Sequence, residues 1–388
     1  MNIIFSTYEA KEIGGSYLRS LSLAEGLVKL GHRVTLWTSA RKLSIWPRFS
    51  VENGVVVVES IGLLPYRFRK GGYDPFDIFF RCLVILFSKC QVIHSFNHRP
   101  SATIPAMVRK ICFPYTKWFL DWADLWGKGG IADRRYGYFS FLTKNLDHYM
   151  EKLFIKLPDV VTPISDDLLR KAKIIRGKSK QTLFLGVGAN IDDIKPDSLT
   201  QARKKLNLPI KSKILAYLYV GTYDEELLAK TFMELRKLRA DVNLMLLGPT
   251  LPVFEEIIRQ NKLASQAVLR FGVVKREALS QYLAACDLMF LPFANKEINL
   301  GKFPNKLGDY LAAGRPIVSN PTGEVAKILK KEKVGQLFSE NPEEFAAGIS
   351  ELLNDQKKID ELGKNARQLA EKLSWLSVAK QLERFYLK

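Results

Sequence analysis

The sequence predicts an α/β fold made of two doubly wound domains, each a mainly parallel sheet with helices on both faces. The 388 residues are too many for one ordinary hydrophobic core and fit two. Short apolar strands alternate with segments of helical periodicity, which is typical of parallel sheets. The alternation begins again after the Asp-Asp-Ile-Lys-Pro segment at residues 192–196, so one such domain follows the other.

The first domain is predicted for residues 1–188. Its first strand, at residues 2–6, is followed by Gly14-Gly15 and by a helix that ends at Gly31. The next strand covers residues 34–38. Later strands are predicted at residues 55–58, 92–96, 118–120, 160–163 and 182–185, with helical patterns between most of them.

The second domain is predicted for residues 189–372. Its strands are expected at residues 214–220, 242–247, 268–271, 288–291, 316–318 and 336–338. Its helices are expected at residues 225–238, 252–263, 275–285, 304–313 and 322–330, and then at about 342–353 and 356–372. A last helix at about 374–387 carries an apolar stripe that must pack on something, so segment 373–388 is a candidate to complete the first domain.

The net charge of +19, from 59 Lys and Arg against 40 Asp and Glu, indicates an anionic partner. Nucleotide phosphates, a phospholipid surface and nucleic acid all fit, and so does an ordinary solvated basic surface. The basic residues are spread along the chain instead of forming a tail, which argues against nucleic acid as the partner.

Cysteines and histidines give no sign of a disulfide framework or of a metal site, because neither residue type shows ligand spacing. We therefore expect a reduced, cytoplasmic protein that needs no metal or other cofactor. The first five residues lack the features of a signal peptide. The most apolar stretch, residues 76–87, contains Asp77 and Arg81 and is too short for a bilayer, which needs about 20 residues.

Sheets of this kind bind ligands beyond the carboxyl ends of their strands, here in a cleft between the two domains. The clearest candidate is the helix that begins at Phe303-Pro304-Asn305-Lys306, with Pro304 suited to its first position. Lys302 and Lys306 bracket its start, and each cation there opposes the helix dipole by ~0.3–1 kcal/mol. A bound anion removes this conflict. The alternative is a Lys306–Asp309 surface pair, which would contribute ~0.2–0.5 kcal/mol.

Two further segments are candidates. Gly14-Gly15, ahead of the first helix, would let backbone N–H groups approach a phosphate, although such a turn before a helix is also common. Asp121, Trp122 and Asp124 follow a strand and would suit a sugar, with Trp126 as a second indole. The alternative for this segment is a helix N-cap with buried tryptophans, and both interpretations stay open.

Taken together, these segments resemble glycosyltransferase family 4, which has the GT-B fold of two Rossmann-like domains. The likeness spans nearly the whole chain. It comprises Gly14-Gly15 with Gly31-His32-Arg33-Val34, Val92-Ile93-His94-Ser95, Gly188-Ala189-Asn190-Ile191-Asp192, Ala285 to Pro292, and Phe303 to Pro316.

The resemblance implies particular site residues. Asp309 takes the place of a ribose ligand, while Gly301 stands where the family has another carboxylate, for which Glu297 is a nearby substitute. Lys306, Lys302, the helix start and the Gly14-Gly15 amides would hold the diphosphate. Asp121 stands where a histidine often contacts the donor sugar, and Thr222 replaces an arginine. The remaining donor-binding candidates are Gly221, Val274, Phe303, Pro304 and Asn305, and the acceptor or sugar candidates are Asp124, Trp122 and Glu297.

The implied activity is transfer of a sugar from a nucleotide sugar, with retention of anomeric configuration and without metal. The expected acceptor is a glycan, a lipid-linked or another cell-surface precursor, as in polysaccharide or glycolipid biosynthesis. A non-catalytic relative and a GT-B-fold epimerase are the alternatives. Residues 76–87 and 134–139 could lie on an anionic membrane leaflet, which would make the protein peripheral to the cytoplasmic face, or could pack as ordinary helices.

Overall fold

The computed structural model describes residues 1–134, 140–177, 180–219 and 224–388. Gly221, Thr222 and residues 135–139 of the basic, aromatic run lie outside the described residues. The chain separates into two compact units, each with its own sheet and helices, which confirms the predicted class of two Rossmann-like doubly wound domains. The first unit comprises Met1–Val187, Leu300–Phe303 and Trp375–Lys388, and the second comprises Gly188–Asn299 and Pro304–Ser374.

Among its described residues, the first unit has eight strands: β1 (Asn2–Ala10), β2 (Arg33–Ser39), β3 (Arg48–Glu52), β4 (Val55–Glu59), β5 (Val92–Phe96), β6 (Lys117–Trp122), β7 (Val160–Pro163) and β8 (Gln181–Thr182). They lie in the order β3-β4-β2-β1-β5-β6-β7-β8, and only β3 and β4 pair antiparallel. All five residues of the inner strand β5 are buried, as expected for a parallel sheet with both faces covered.

The helices of this part are α1 (Gly15–Lys29), α2 (Tyr66–Arg69), α3 (Pro75–Phe87), α4 (Pro100–Cys112), α5 (Ser140–Lys156) and α6 (Asp166–Arg176), with a 3₁₀ turn at Ala132–Arg134. Helix α3 begins at a favourable cap, since the side chain of Asp74 accepts the N–H groups of Phe76 and Asp77. In the described ranges, no helix combines the length and the apolar character that crossing a bilayer requires.

The second unit has strands β9 (Lys213–Leu218), β10 (Val242–Leu247), β11 (Val268–Arg270), β12 (Leu288–Leu291), β13 (Ile317–Ser319) and β14 (Gly335–Leu337). They are parallel throughout and lie in the order β11-β10-β9-β12-β13-β14. The accompanying helices are α7 (Leu199–Lys205), α8 (Glu225–Leu238), α9 (Pro252–Ile258), α10 (Lys262–Gln266), α11 (Arg276–Ala284), α12 (Glu297–Leu300), α13 (Asn305–Ala312), α14 (Gly323–Glu332), α15 (Pro342–Leu352) and α16 (Gln356–Lys372).

The last helix, α17 (Trp375–Leu387), belongs to the first unit and packs against α1. Gly26 of α1 allows the close approach, because a Cβ there would lie 2.5 Å from the Cβ of Ala379. Tyr386 joins the helix to the sheet, since its hydroxyl lies 2.6 Å from Nδ1 of the buried His94 in β5. The apolar stripe of this helix therefore packs into the core of the first unit.

Two predicted elements are wrong. The strand expected at residues 182–185 is reduced to the two-residue β8, which pairs with β7 at the edge of the sheet. The single helix expected at residues 252–263 is two helices, because the side chain of Asn261 accepts the N–H of Ala264 and starts α10 as a new helix. Strand β3 was not predicted, since it is an exposed edge strand without an apolar run.

Candidate functional site

Helix α13 is fastened to the carboxyl end of β9 by two side chains one turn apart. Lys306 is only 2% exposed, and its Nζ donates to the carbonyl of Leu218 at 3.0 Å. The hydroxyl of Tyr310 accepts the N–H of the same Leu218 at 2.8 Å. The face of Tyr217 also lies 4.6 Å from the ammonium of Lys306, a cation–π contact. The start of α13 is thereby held beside the carboxyl end of β9.

This geometry corrects two expectations about the α13 segment. Pro304 is the N-cap residue with extended backbone, one position before the first helical residue, Asn305. Lys306 is buried instead of lying on the surface, so the alternative of a Lys306–Asp309 surface pair does not describe it. A proline N-cap has no polar side chain to offer the first N–H groups of the helix, so a ligand can take that role.

Asp309 lies on the same helix and is half-buried. Its Oδ1 accepts a hydrogen bond from the side-chain amide of Asn190 at 2.7 Å, and burial raises its pKa to about 6. Gly308 allows this contact, because a Cβ there would lie 2.1 Å from the carbonyl oxygen of Gly188. The segment at residues 188–190 therefore packs directly on α13 and orients the carboxylate of Asp309.

A buried acidic group, Asp224, stands at the start of α8. Asp224 accepts hydrogen bonds from Lys296 at 2.9 Å and from the side-chain amide of Asn299 at 2.8 Å. Sequence reasoning missed this group. Glu297, which the sequence suggested as a substitute carboxylate, is exposed on α12, and Val274 is half-buried in the loop after β11.

The other members of the predicted helix-start motif group with the first unit. Gly301 is buried, and its carbonyl accepts the hydroxyl of Ser165 at 3.0 Å. Phe303 is buried and its ring lies against Gly186, while Lys302 is half-buried. Lys302 and Lys306 were predicted to bracket one helix start, but the structure assigns them to different units.

In the first unit, the start of α1 is already occupied by the carboxyl group of Glu9. Its Oε2 accepts the N–H of Tyr17 at 2.8 Å, and the hydroxyl of Tyr8 donates to its Oε1 at 3.2 Å. Gly14 makes room for this group, because a Cβ there would lie 2.2 Å from the carboxyl carbon. The position predicted for a phosphate beside Gly14-Gly15 is therefore shared with a side chain of the protein itself.

Asn97 connects this helix start with the neighbouring strand ends. Its side-chain amide donates to the hydroxyl of Ser16 at 2.8 Å and to Asp124 at 3.5 Å, while its oxygen accepts the N–H of Ala123 at 3.2 Å. Burial raises the pKa of Asp124, and the charge of Lys302 opposes that rise. Asp124 thus lies at the carboxyl edge of the sheet, beside Asn97 and Lys302.

Asp121 and Trp122 do not form the predicted sugar-binding surface. Asp121 is fully buried, and its two oxygens accept from Nε and Nη2 of Arg19, both at 2.9 Å. The hydroxyl of Thr162 adds a third hydrogen bond at 3.1 Å. Both oxygens of Asp121 are therefore bonded inside the protein, whereas the sequence had suggested that they face a ligand.

The indoles also belong to the core. Trp122 is buried, and its Nε1 donates to Glu151 at 3.1 Å. Trp126 is buried under the guanidinium of Arg99, which lies 4.2 Å from its ring centre. The tryptophans are therefore buried, as the alternative had it, but Asp121 lies in strand β6 and caps no helix. Asp124 is the member of the group that stays at the sheet edge.

Glu9 leads to a pH-dependent prediction. Burial raises its pKa from 4.5 to about 8, so the folded protein holds the proton more tightly than the unfolded chain. Its contribution to stability is complete below pH 4.5 and is lost as the pH rises through 8. In Glu9→Gln this loss is absent, so the variant should gain on the order of 3–4 kcal/mol over wild type between pH 5 and pH 9.

The measurement is thermal unfolding of both proteins at the two pH values. Glu12→Gln is the matched control, since Glu12 is exposed in the same loop and should show no such difference. A Glu9→Gln effect of equal size at pH 5 and pH 9 would contradict the assigned environment of Glu9.

The sequence is similar to those of known glycosyltransferases. A family model described as glycosyl transferases group 1 matches residues 216–355, which include the carboxyl end of β9, helix α13 and Lys306. The chain is 23% identical over 392 aligned residues to an uncharacterized glycosyltransferase of Methanocaldococcus jannaschii, covering 98% of this chain and 95% of the relative.

Solved structures share the whole fold. Sucrose-phosphate synthase from Thermosynechococcus elongatus superposes with a TM-score of 0.76 at 20% identity, covering 100% of this chain and 98% of the other. Anabaena HepE in complex with UDP-glucose superposes with a TM-score of 0.70 at 14% identity, covering 99% of both chains. At such low identity these likenesses establish the fold alone.

Proposed function

We propose that this chain, a glycosyltransferase of the group 1 type with the GT-B fold, moves a sugar from a nucleotide-sugar donor to a glycan, a lipid-linked or another cell-surface precursor. We propose further that the anomeric configuration is retained and that no metal is needed. The observation that carries the proposal is the buried Lys306 at the start of α13, fixed against the end of β9.

Lys306 would act by electrostatic stabilisation. Cleavage of the donor places negative charge on the leaving diphosphate, and a preorganised ammonium beside a helix start stabilises that charge without reorganising during the reaction. The contacts of Lys306 with Leu218 and Tyr217 supply this preorganisation. Asp309, held by Asn190, would accept hydrogen bonds from the ribose, with Asn305 and Pro304 beside it in the same unit.

The first unit would supply the acceptor side. Asp124 at the sheet edge is the carboxylate that we assign to an acceptor or sugar hydroxyl, and Gly14, Gly15 and Lys302 stay candidates for the donor. Since Asp121 is committed to Arg19, it offers no nucleophile for a double-displacement reaction. Retention would then proceed by attack and departure on the same face of the sugar, with the leaving phosphate accepting the proton of the acceptor hydroxyl.

A non-catalytic, donor-binding relative is the second candidate. It is favoured by the exposed position of Glu297 and by Gly301, whose carbonyl is bound by Ser165 where the family has a carboxylate. Such a protein would bind the donor without turning it over.

The test begins with a thermal-shift screen of nucleoside diphosphates and sugar nucleotides, since a ligand that binds only the folded state raises the melting temperature. The stabilising donor is then incubated with acceptor extracts in EDTA, and the anomeric configuration of the product is read by NMR. We expect an α-linked product from an α-linked donor. Donor binding without any turnover would favour the second candidate, conversion of the donor without an acceptor would indicate an epimerase, and no stabilisation by any nucleotide would refute both binding proposals.

A further inference from the structure

Two loops lie at the same edge of the first sheet as the start of α1. The segment at residues 40–47 follows β2, and the segment at residues 60–70 follows β4. Strands β1, β2 and β4 are parallel neighbours, so the loops that follow them emerge at one edge. This edge also carries Glu9 and Asp124, the acceptor side of the proposed site.

The two loops are fixed to each other. Ser44 and Gly62 exchange backbone hydrogen bonds of 3.0 and 2.7 Å. Arg69 is buried and donates to the carbonyl groups of Ala40, Lys42 and Leu64, so its guanidinium holds both loops. The side chains that these loops expose are therefore presented from an ordered backbone.

What the loops expose is large, apolar and cationic. Ile45 is 70% exposed and Trp46 is 74% exposed, and Phe68 is exposed in the other loop. Around them lie the exposed side chains of Arg41, Lys42, Arg48, Arg67 and Lys70. No Asp or Glu occurs in residues 40–51 or 60–73. We call residues 41–49 and 63–70 the loop surface.

Helix α3, which follows the loop surface in the chain, adds a second apolar face. Phe76, Phe79, Leu83 and Phe87 recur at helical spacing and are exposed. The charged residues of α3 point inward, with Arg81 and Asp77 paired at 2.7 Å in the core. Packing against α4 therefore uses only part of α3, and the face that the sequence marked as a membrane candidate stays exposed.

We propose that the loop surface docks on an anionic lipid bilayer and brings a lipid-linked acceptor to the carboxyl edge of the first sheet. Tryptophan and long aliphatic side chains insert at the headgroup boundary, and lysine and arginine are attracted by anionic lipids. A second copy of the chain fits less well, because a symmetric contact would bring two cationic faces together. The proposal that the protein docks on a bilayer depends only on the loop surface. The proposal that docking delivers a lipid-linked acceptor rests on the proposed function.

The experiment is co-sedimentation of the full chain with phosphatidylcholine vesicles, with and without phosphatidylglycerol. We expect binding to the anionic vesicles that is at least about tenfold tighter than to the neutral ones and that weakens in high salt. The variant Ile45→Ser/Trp46→Ser should lose about tenfold in binding or more, because its apolar anchor is gone. Lys42→Gln/Arg67→Gln should lose the preference for phosphatidylglycerol.

The matched control is Leu263→Ser/Val273→Ser, which removes two equally exposed apolar side chains, 69% and 79% exposed, from the second unit. Its binding should stay within about twofold of wild type. Equal losses in the control and in Ile45→Ser/Trp46→Ser would overturn the proposal, as would equal binding to both vesicle types. A dimer in sedimentation that Trp46→Ser abolishes would assign the surface to self-association instead.

Nucleotide binding separates this inference from the proposed function. A nucleoside diphosphate should raise the melting temperature of Ile45→Ser/Trp46→Ser and of Lys42→Gln/Arg67→Gln as it does for wild type, since neither variant changes α13. Vesicle binding without any nucleotide stabilisation would leave the docking surface intact and refute the proposed donor site. Nucleotide stabilisation without vesicle binding would refute the docking surface and leave the proposed donor site intact.

Discussion

Replacing Lys306 by methionine is expected to weaken the binding of a nucleoside diphosphate by roughly 10- to 100-fold, since a hydrogen bond to a charged group contributes about 1.5–3 kcal/mol. The affinity for the matching nucleoside, which has no phosphates, should change little. The turnover rate should fall as well, because the leaving group gains charge in the transition state. Titration calorimetry with the nucleoside and its diphosphate, on both proteins, measures the two effects.

Lys327→Met is the matched control for this prediction. Lys327 is an exposed lysine of the same unit that pairs with Glu324 one turn away, so its loss should leave both affinities unchanged. If Lys306→Met reduced nucleoside and diphosphate binding by the same factor, Lys306 would be only a structural clamp on Leu218 and not a phosphate ligand.

Replacing Arg19 by methionine is expected to lower the free energy of unfolding of the first unit by about 3–5 kcal/mol. The change leaves the carboxylate of Asp121 buried without its counter-ion, and it also removes hydrogen bonds of 2.8 and 2.7 Å to the carbonyl groups of Leu185 and Gly186. Tryptophan fluorescence in a urea titration reports this unfolding, because all six tryptophans lie in the first unit.

Two controls distinguish the buried pair from an ordinary one. Arg170→Met breaks a pair with Asp167 in which the arginine is largely exposed, and it should cost no more than about 1 kcal/mol. Arg19→Met/Asp121→Leu removes both charges and should recover a large part of the lost stability. A cost for Arg19→Met as small as that for Arg170→Met would contradict the buried ion pair.

Local patterns in the sequence account for most of the elements. Helix α16 has the predicted bounds, because its apolar spacing and the Asp355 cap are local signals. The strands β5, β7, β10 and β12 also lie where apolar runs between helical segments placed them. The split of α9 and α10 was missed although Asn261 is a recognisable cap, since the apolar periodicity across it looked continuous.

The contacts between side chains that are distant in the chain could not be predicted from the sequence. Helix α13 lies where the sequence predicted a helix, just after Gly301. The burial of Lys306, however, depends on its contacts with Leu218 and Tyr217, which lie some 90 residues earlier in the chain. The sequence suggested that the carboxylate of Asp121 is available to a ligand, whereas in the structure Arg19 of α1 donates hydrogen bonds to both of its oxygens. Glu9 carried no motif at all, and only the fold shows that it reaches the start of α1.

Sequence patterns were enough to predict two mainly parallel sheets, the position of α13 and the cationic balance of the chain, because periodicity, caps and charge are properties of neighbouring residues or of composition. Only the folded chain shows that α17 packs in the first unit, that Arg19 binds both oxygens of Asp121 and that Glu9 lies at the start of α1. These outcomes depend on which distant groups meet in a low-dielectric interior, where a charge must find its partner or lose stability.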